Sequence, residues 1–172
     1  MNKKILIYVF VLISGLLSKT LAQIPNNETG FRNYFQQNKD SLDQIEGIWR
    51  TNSSQEFYHH DTLYDVDNSA PSSQIAIIKK DQQFESYSLQ GKPYDVRFYP
   101  TEVAGVYLYK NYFPETKEYS KANAVISKGG EMEYSYEIPD LFLQKTLGKS
   151  YEPGTRVLNK STWKKIFPAR KK

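Results

Sequence analysis

The chain has 172 residues, no cysteine, 15% aromatic residues dominated by 14 tyrosines, and a formal net charge of +4. Three of the lysines behind that charge, Lys3, Lys4 and Lys19, sit in the first 22 residues, which contain no acid. The remainder is therefore nearly neutral, and the absence of Cys excludes disulfides, a thiolate nucleophile and a lipid-modified cysteine. This balance argues against nucleic acid as a partner, because phosphate binding rests on clustered cations.

Residues 1–22 read as a signal peptide. Lys3-Lys4 precede an apolar run from Ile5 to Leu17, and Thr20-Leu21-Ala22 places small residues where a signal peptidase cuts. The run is shorter than the ~20 residues a membrane-spanning helix needs, so export to the periplasm or medium is expected, without stable membrane insertion. Residues 23–40 form a polar leader and a short helix. Thr29 is placed as its cap, and Phe31, Tyr34 and Phe35 make one apolar stripe at i, i+3 and i+4 over Phe31 to Asn38.

A barrel domain is assigned to 41–168 and a basic tail to 169–172. The barrel opens on Ser41-Leu42-Asp43-Gln44-Ile45-Glu46-Gly47-Ile48-Trp49-Arg50, read as a cap, one helical turn and the start of a strand. Ile48 to Tyr64 is extended, and Asp65 to Ser73 is loop-forming. Gln74 to Lys80 and Phe84 to Leu89 are strands, the second with an alternation one step out of phase, as a bulge produces. Asp95 to Tyr99 and Val103 to Phe113 follow, separated by Pro100, which cannot donate to a ladder. Lys121 to Ser127 alternates, and Gly129-Gly130 suits a type I′ hairpin turn with φ > 0 at both positions. Glu131 to Ile138 alternates without a fault and stops at Pro139. Asp140 to Gly148 is a helical turn or an irregular segment, and Arg156 to Phe167 is the last strand. Seven to nine short strands joined mostly by hairpins describe an antiparallel meander. Closing it into an all-β, up-and-down barrel of about eight strands removes the exposed edges.

The Gly47-Ile48-Trp49 triplet, at the start of the first strand of such a meander, resembles the Gly-x-Trp motif of the lipocalins and the wider calycin group. Glu-Gly-Ile-Trp at the start and Trp163 to Pro168 at the close also look like a group of exported bacterial proteins. The resemblance implies that Trp49 plugs one end of the barrel beside a basic residue of the last strand. Arg156, Lys160 and Lys164 are the candidates, and Arg156 is taken with Gly47 and Trp49 as the structural motif. It also implies a small hydrophobic or amphipathic ligand held inside. Phe84, Tyr87, Phe98, Met132, Tyr134 and Tyr136 are the expected ligand-binding positions, with Ile138 beyond them. Apolar walls with a few hydroxyl handles are the usual composition of a small-molecule site. The other reading is a packed barrel whose exposed tyrosines (Tyr58, Tyr64, Tyr107, Tyr109 and Tyr112) meet a protein or polysaccharide.

No catalytic chemistry is expected. His59-His60-Asp61 are neighbours on an extended stretch, so their side chains diverge, and a zinc site without Cys needs carboxylates to complete it. Glu131, Glu133 and Glu137 fall on the wet face of one strand. No Gly-x-Ser-x-Gly elbow and no phosphate-binding glycine loop is present, so neither a metal nor a cofactor is expected.

Overall fold

A computed structural model describes residues 24–168. The signal-peptide and basic-tail assignments therefore lie outside the described residues. The chain runs α1 (Glu28–Gln37), β1 (Gly47–His59), β2 (Thr62–Asp67), β3 (Ser73–Lys80), β4 (Gln83–Ser88), β5 (Pro93–Pro100), β6 (Val106–Phe113), β7 (Glu118–Ile126), β8 (Glu131–Glu137), α2 (Asp140–Leu147), a 3-10 turn (Gly148–Ser150) and β9 (Thr155–Phe167). All strand pairs are antiparallel. β1 pairs with β3 near its start and with β9 along nearly its whole length, so eight strands close into a barrel. β2 stands outside that ring and forms a hairpin with the far end of β1.

Parity along the strands separates inside from outside. On β1 the inward set runs Trp49, Thr51, Ser53, Gln55, Phe57, His59. Their partners on β9 are Lys165, Trp163, Ser161, Asn159, Val157 and Thr155. One buried cluster fills the barrel around Trp49, Ile77, Phe84, Phe98, Tyr109, Met132 and Trp163. A second lies outside the wall, where Phe31 and Phe35 of α1 cover Ile48, Ala76, Ile78, Tyr87 and Leu89. The expected stripe on α1 is thus the face it buries. The helix starts earlier than Thr29 because Asn27 is the cap, its Oδ1 accepting from Gly30 N at 2.8 Å.

The stretch from Ser41 to Glu46, read as a cap and one helical turn, is a hydrogen-bonded turn and not a helix. Asp43 Oδ1 accepts from Ile45 N, and the Glu46 carboxylate accepts from Asp43 N at 2.9 Å and from Lys79 N at 3.1 Å. This reciprocal pattern resembles a capping box with no helix behind it. Gly47 then turns the chain into the barrel at φ +146, where a Cβ would lie 2.4 Å from Phe167 O. Only glycine fits that approach.

Two turns differ from their expected form. The β1–β2 hairpin turns on His60 and Asp61, at φ 45 and 63, within a stretch read as continuously extended. At β7–β8 only Gly130 has positive φ, and Gly130 N donates to Ser127 O at 3.1 Å. That geometry is a type I turn closed by a left-handed residue, the three-residue hairpin solution. The irregularity expected in the fourth strand falls in its pairing to β5, between Glu85 and Tyr87, while its pairing to β3 is continuous. Asp140 to Leu147 is helical, and Phe142 packs at 4.8 Å on Phe113. Among the described residues no helix is long and apolar enough to cross a membrane.

Candidate ligand site at the barrel mouth

The barrel has a closed floor. Trp49 is fully buried, and its Nε1 donates to Ile45 O at 2.8 Å. The cation over its ring is Lys165, whose Nζ stands 5.2 Å from the ring centroid and donates to Gln44 O and Glu46 O at 2.6 and 2.7 Å. Arg156 does not take this role. It lies near the other end of β9 on the outer face, paired with Glu137 and Asp61. Lys160 also faces out, bound to Glu56 at 2.5 Å, and Lys164 is exposed beside Arg50. Tyr107 reaches the floor from β6 and donates to Asp43 Oδ1. Burial and then that carboxylate push its phenol well up.

Above the floor the interior is filled. Phe84, Phe98, Met132 and Tyr134 all belong to the buried cluster, and Tyr136 packs against it. Phe98 meets Tyr109, Tyr134 and Trp163 edge-on at 5.5 to 6.3 Å, and Tyr109 stacks on Tyr134 at 4.3 Å and on Tyr136 at 5.2 Å. These residues pack one another as the barrel core. An eight-stranded barrel is narrow enough for side chains alone to fill it. Tyr87 is on the other side of the wall, its ring 6.4 Å from Phe31, because it is odd-numbered on a strand whose inward set is Phe84, Ser86 and Ser88. Tyr107 and Tyr109, expected among the exposed tyrosines, point inward and are buried.

Toward the mouth the inward positions change chemistry. Ser53 and Ser161 share a hydrogen bond of 2.8 Å, Asn159 Nδ2 donates to Ser161 Oγ at 3.0 Å, and Gln55 faces Asn159 across β1–β9. Asn111 and Ser120 face each other across β6–β7, and Asn111 lies beside the Tyr136 hydroxyl. Burial raises the phenols of Tyr109, Tyr134 and Tyr136, so these positions are neutral hydroxyl and amide groups, while Glu118 at the next inward position of β7 carries a carboxylate whose Oε2 is buried without a hydrogen-bond partner. Ser53, Gln55, Asn111 and Tyr136 are half-buried, in contrast to the fully buried rows beneath.

One rung further out, the β1–β2 hairpin rises beyond the barrel and faces the end of α2. Between them is a cavity of about 700 Å³ lined by Phe57, His59, His60, Thr62, Tyr64, Leu147, Ser150, Glu152 and Thr155. Phe57 and Tyr64 pack at 6.3 Å and make its aromatic wall. His59 Nδ1 is buried there without a hydrogen-bond partner. The His60 ring lies 4.3 Å from that of His59 and against Gly154, and the His60 backbone N–H donates to Gly154 O at 3.2 Å. The two histidines thus approach each other because one of them is in the turn. Among the described residues no three His, Asp or Glu side chains are placed to share a metal ion.

The polar belt was hidden in the sequence because Ser, Gln and Asn inside a strand read as outward. The available signal was parity: Thr51, Ser53 and Gln55 step by two from Trp49, as do Ser161 and Asn159 from Trp163. Compared with protein-family models, curated proteins and solved structures, the chain matches none.

Proposed function

We propose that this chain is an exported, non-catalytic binding protein that takes a small amphipathic molecule at the mouth of its barrel. The polar end of the ligand enters the hydroxyl and amide belt, and the apolar end rests on Phe57, Tyr64 and Leu147. The observation that carries this reading is the order of chemistry along the barrel axis: a packed aromatic plug, then half-buried neutral polar groups, then an aromatic-walled cavity of about 700 Å³ with an unpartnered His59 Nδ1. A concave, mostly apolar space with a few convergent polar groups is the usual setting for small-ligand binding. Its depth order departs from the lipocalin-like expectation of an apolar interior. The support favours a ligand held near the rim, with Trp49 acting only as a structural plug.

The experiment is a titration of amphiphiles, from acyl and aryl alcohols to acyl amides, followed by equilibrium dialysis and by the fluorescence of Trp163 below the belt. Saturable binding is expected, weakened about tenfold or more by Phe57→Ala with Tyr64→Ala, the loss of one well-packed aromatic contact. Binding unchanged in that double variant excludes the mouth as the site. Absence of saturation across the whole panel ends the reading.

A further inference from the structure

The outer face of β5, β6 and β7 carries a feature that the mouth does not use. Register sets Arg97, Lys110 and Lys121 directly opposite one another, in one row across three neighbouring strands. Sheet spacing places consecutive members about 5 Å apart, and like charges facing each other in this way destabilise a sheet. Only one end of the row is discharged: Arg97 Nε stands 3.8 Å from Glu85. Lys110 and Lys121 have no carboxylate within 4.0 Å among the described residues.

Rows that carry tyrosine flank the cations on both sides. Tyr99, Leu108 and Asn123 form the row toward the floor, with Lys110 Nζ 4.5 Å from the Tyr99 ring centroid. Tyr112 and Tyr119 form the row toward the mouth, their rings 4.8 Å apart and Tyr119 55% exposed. The band ends in a depression at either side. One of about 760 Å³ is lined by Tyr99 and Pro100 with Lys79, Asp81 and Gln83, and one of about 740 Å³ carries Tyr119, Lys121 and Arg156 together with Glu118, Glu137 and Asp140.

We propose that this band is a docking surface for an acidic polysaccharide. Sugar rings lie on Tyr99, Tyr112 and Tyr119, and successive acidic groups meet Arg97, Lys110 and Lys121. The polymer runs across the strands along the row of cations. One cation per strand, at a spacing comparable to a sugar residue, suits a chain with about one charge per ring. The apolar faces of pyranose rings pack on tyrosine, and the bound acids relieve the repulsion that the fold leaves in the row. A nucleic acid fits less well. Six of the 23 Lys and Arg residues lie outside residues 24–168 while all 19 Asp and Glu lie inside, so the barrel is net acidic beyond this row. Nucleic-acid affinity draws on many phosphate contacts, and a row of three cations supplies few of them.

The test measures binding of the full chain to immobilised polygalacturonate and heparin, with dextran and a single-stranded oligodeoxynucleotide alongside, at low and high salt. Saturable binding to at least one acidic glycan is expected, falling with salt. Lys110→Gln with Lys121→Gln is expected to weaken it about tenfold or more, the loss of one charge-assisted hydrogen bond or more. The thermal midpoint of that variant should be equal or higher, because a like-charge row is removed. Tyr112→Ala with Tyr119→Ala should weaken binding as well, and the mouth variant Phe57→Ala with Tyr64→Ala should not. Absence of binding to either acidic glycan, equal binding to dextran, tighter binding to the oligonucleotide, or affinity unchanged in the lysine variant each overturns the proposal.

Discussion

Lys165 does two jobs with one ammonium group: it covers the indole of Trp49 and it supplies the hydrogen-bond donors for two carbonyls of the turn that leads into β1. Lys165→Met keeps most of the aliphatic stem and withdraws the donors. The expected cost is about 2–4 kcal/mol, because two charge-assisted hydrogen bonds vanish and the carbonyls they served lie against the packed floor. Urea unfolding should show a lower midpoint with an unchanged slope, since the folded surface is the same. The contrast with Arg156 shows how far a sequence reads at this scale. Gly47-Ile48-Trp49 is a local signal and stands out unaided. Its cationic partner is more than a hundred residues away on a strand that also offers Arg156, Lys160 and Lys164, and two residues of that strand decide the matter. Val157 and Trp163 are apolar and odd-numbered, so position 165 shares their inward face and the three even-numbered cations do not.

At the scale of elements, α1 is an outside brace on the barrel wall. Its ten residues are too few to be stable in isolation, and Phe31 and Phe35 anchor it by full burial against β1, β3 and β4. Phe35→Ala should destabilise the protein by about 3–4 kcal/mol, measured by denaturant titration, because the pocket left behind is walled by rigid strands and collapses poorly. The stripe at 31, 34 and 35 made the helix and its buried face legible. Its docking site was not, because Tyr87 and Leu89 look like ordinary strand residues until the register assigns their side of the sheet. The β1–β2 hairpin was missed for a different reason: His60 and Asp61 take left-handed conformations without the glycine that normally announces such a turn. The mouth cavity depends on that hairpin, so the missed turn also concealed the site.

For the molecule as a whole, a barrel full of tyrosine implies a stability that fails on the alkaline side. Burial raises the phenols of Tyr87, Tyr107, Tyr109 and Tyr134, and Tyr87 and Tyr107 also donate to the carboxylates of Glu85 and Asp43. Each of these groups stays neutral in the folded state at a pH where the unfolded chain releases its proton. Their contribution is therefore complete below about pH 10, the ordinary tyrosine value, and is lost as pH rises from there toward the raised folded values. Tyrosinate absorbance of the buried set should appear together with loss of the barrel's circular dichroism, in one cooperative step above about pH 10. Phenols that ionise while the fold persists would contradict the packed interior. Closure was legible from the meander, since a sheet of so many strands needs its edges covered, and the polar belt was not, because burial of amides is decided by the ring and not by any one strand.

The pairing of β1 with β9 has a consequence for biogenesis. A nascent chain presents its first strand more than a hundred residues before the strand that zips against it, and until then two unsatisfied backbone ladders face the surrounding milieu. Translation arrested anywhere before Thr155 leaves the ring unsealed, with the free edges of β1 and β8 open to pairing with other chains.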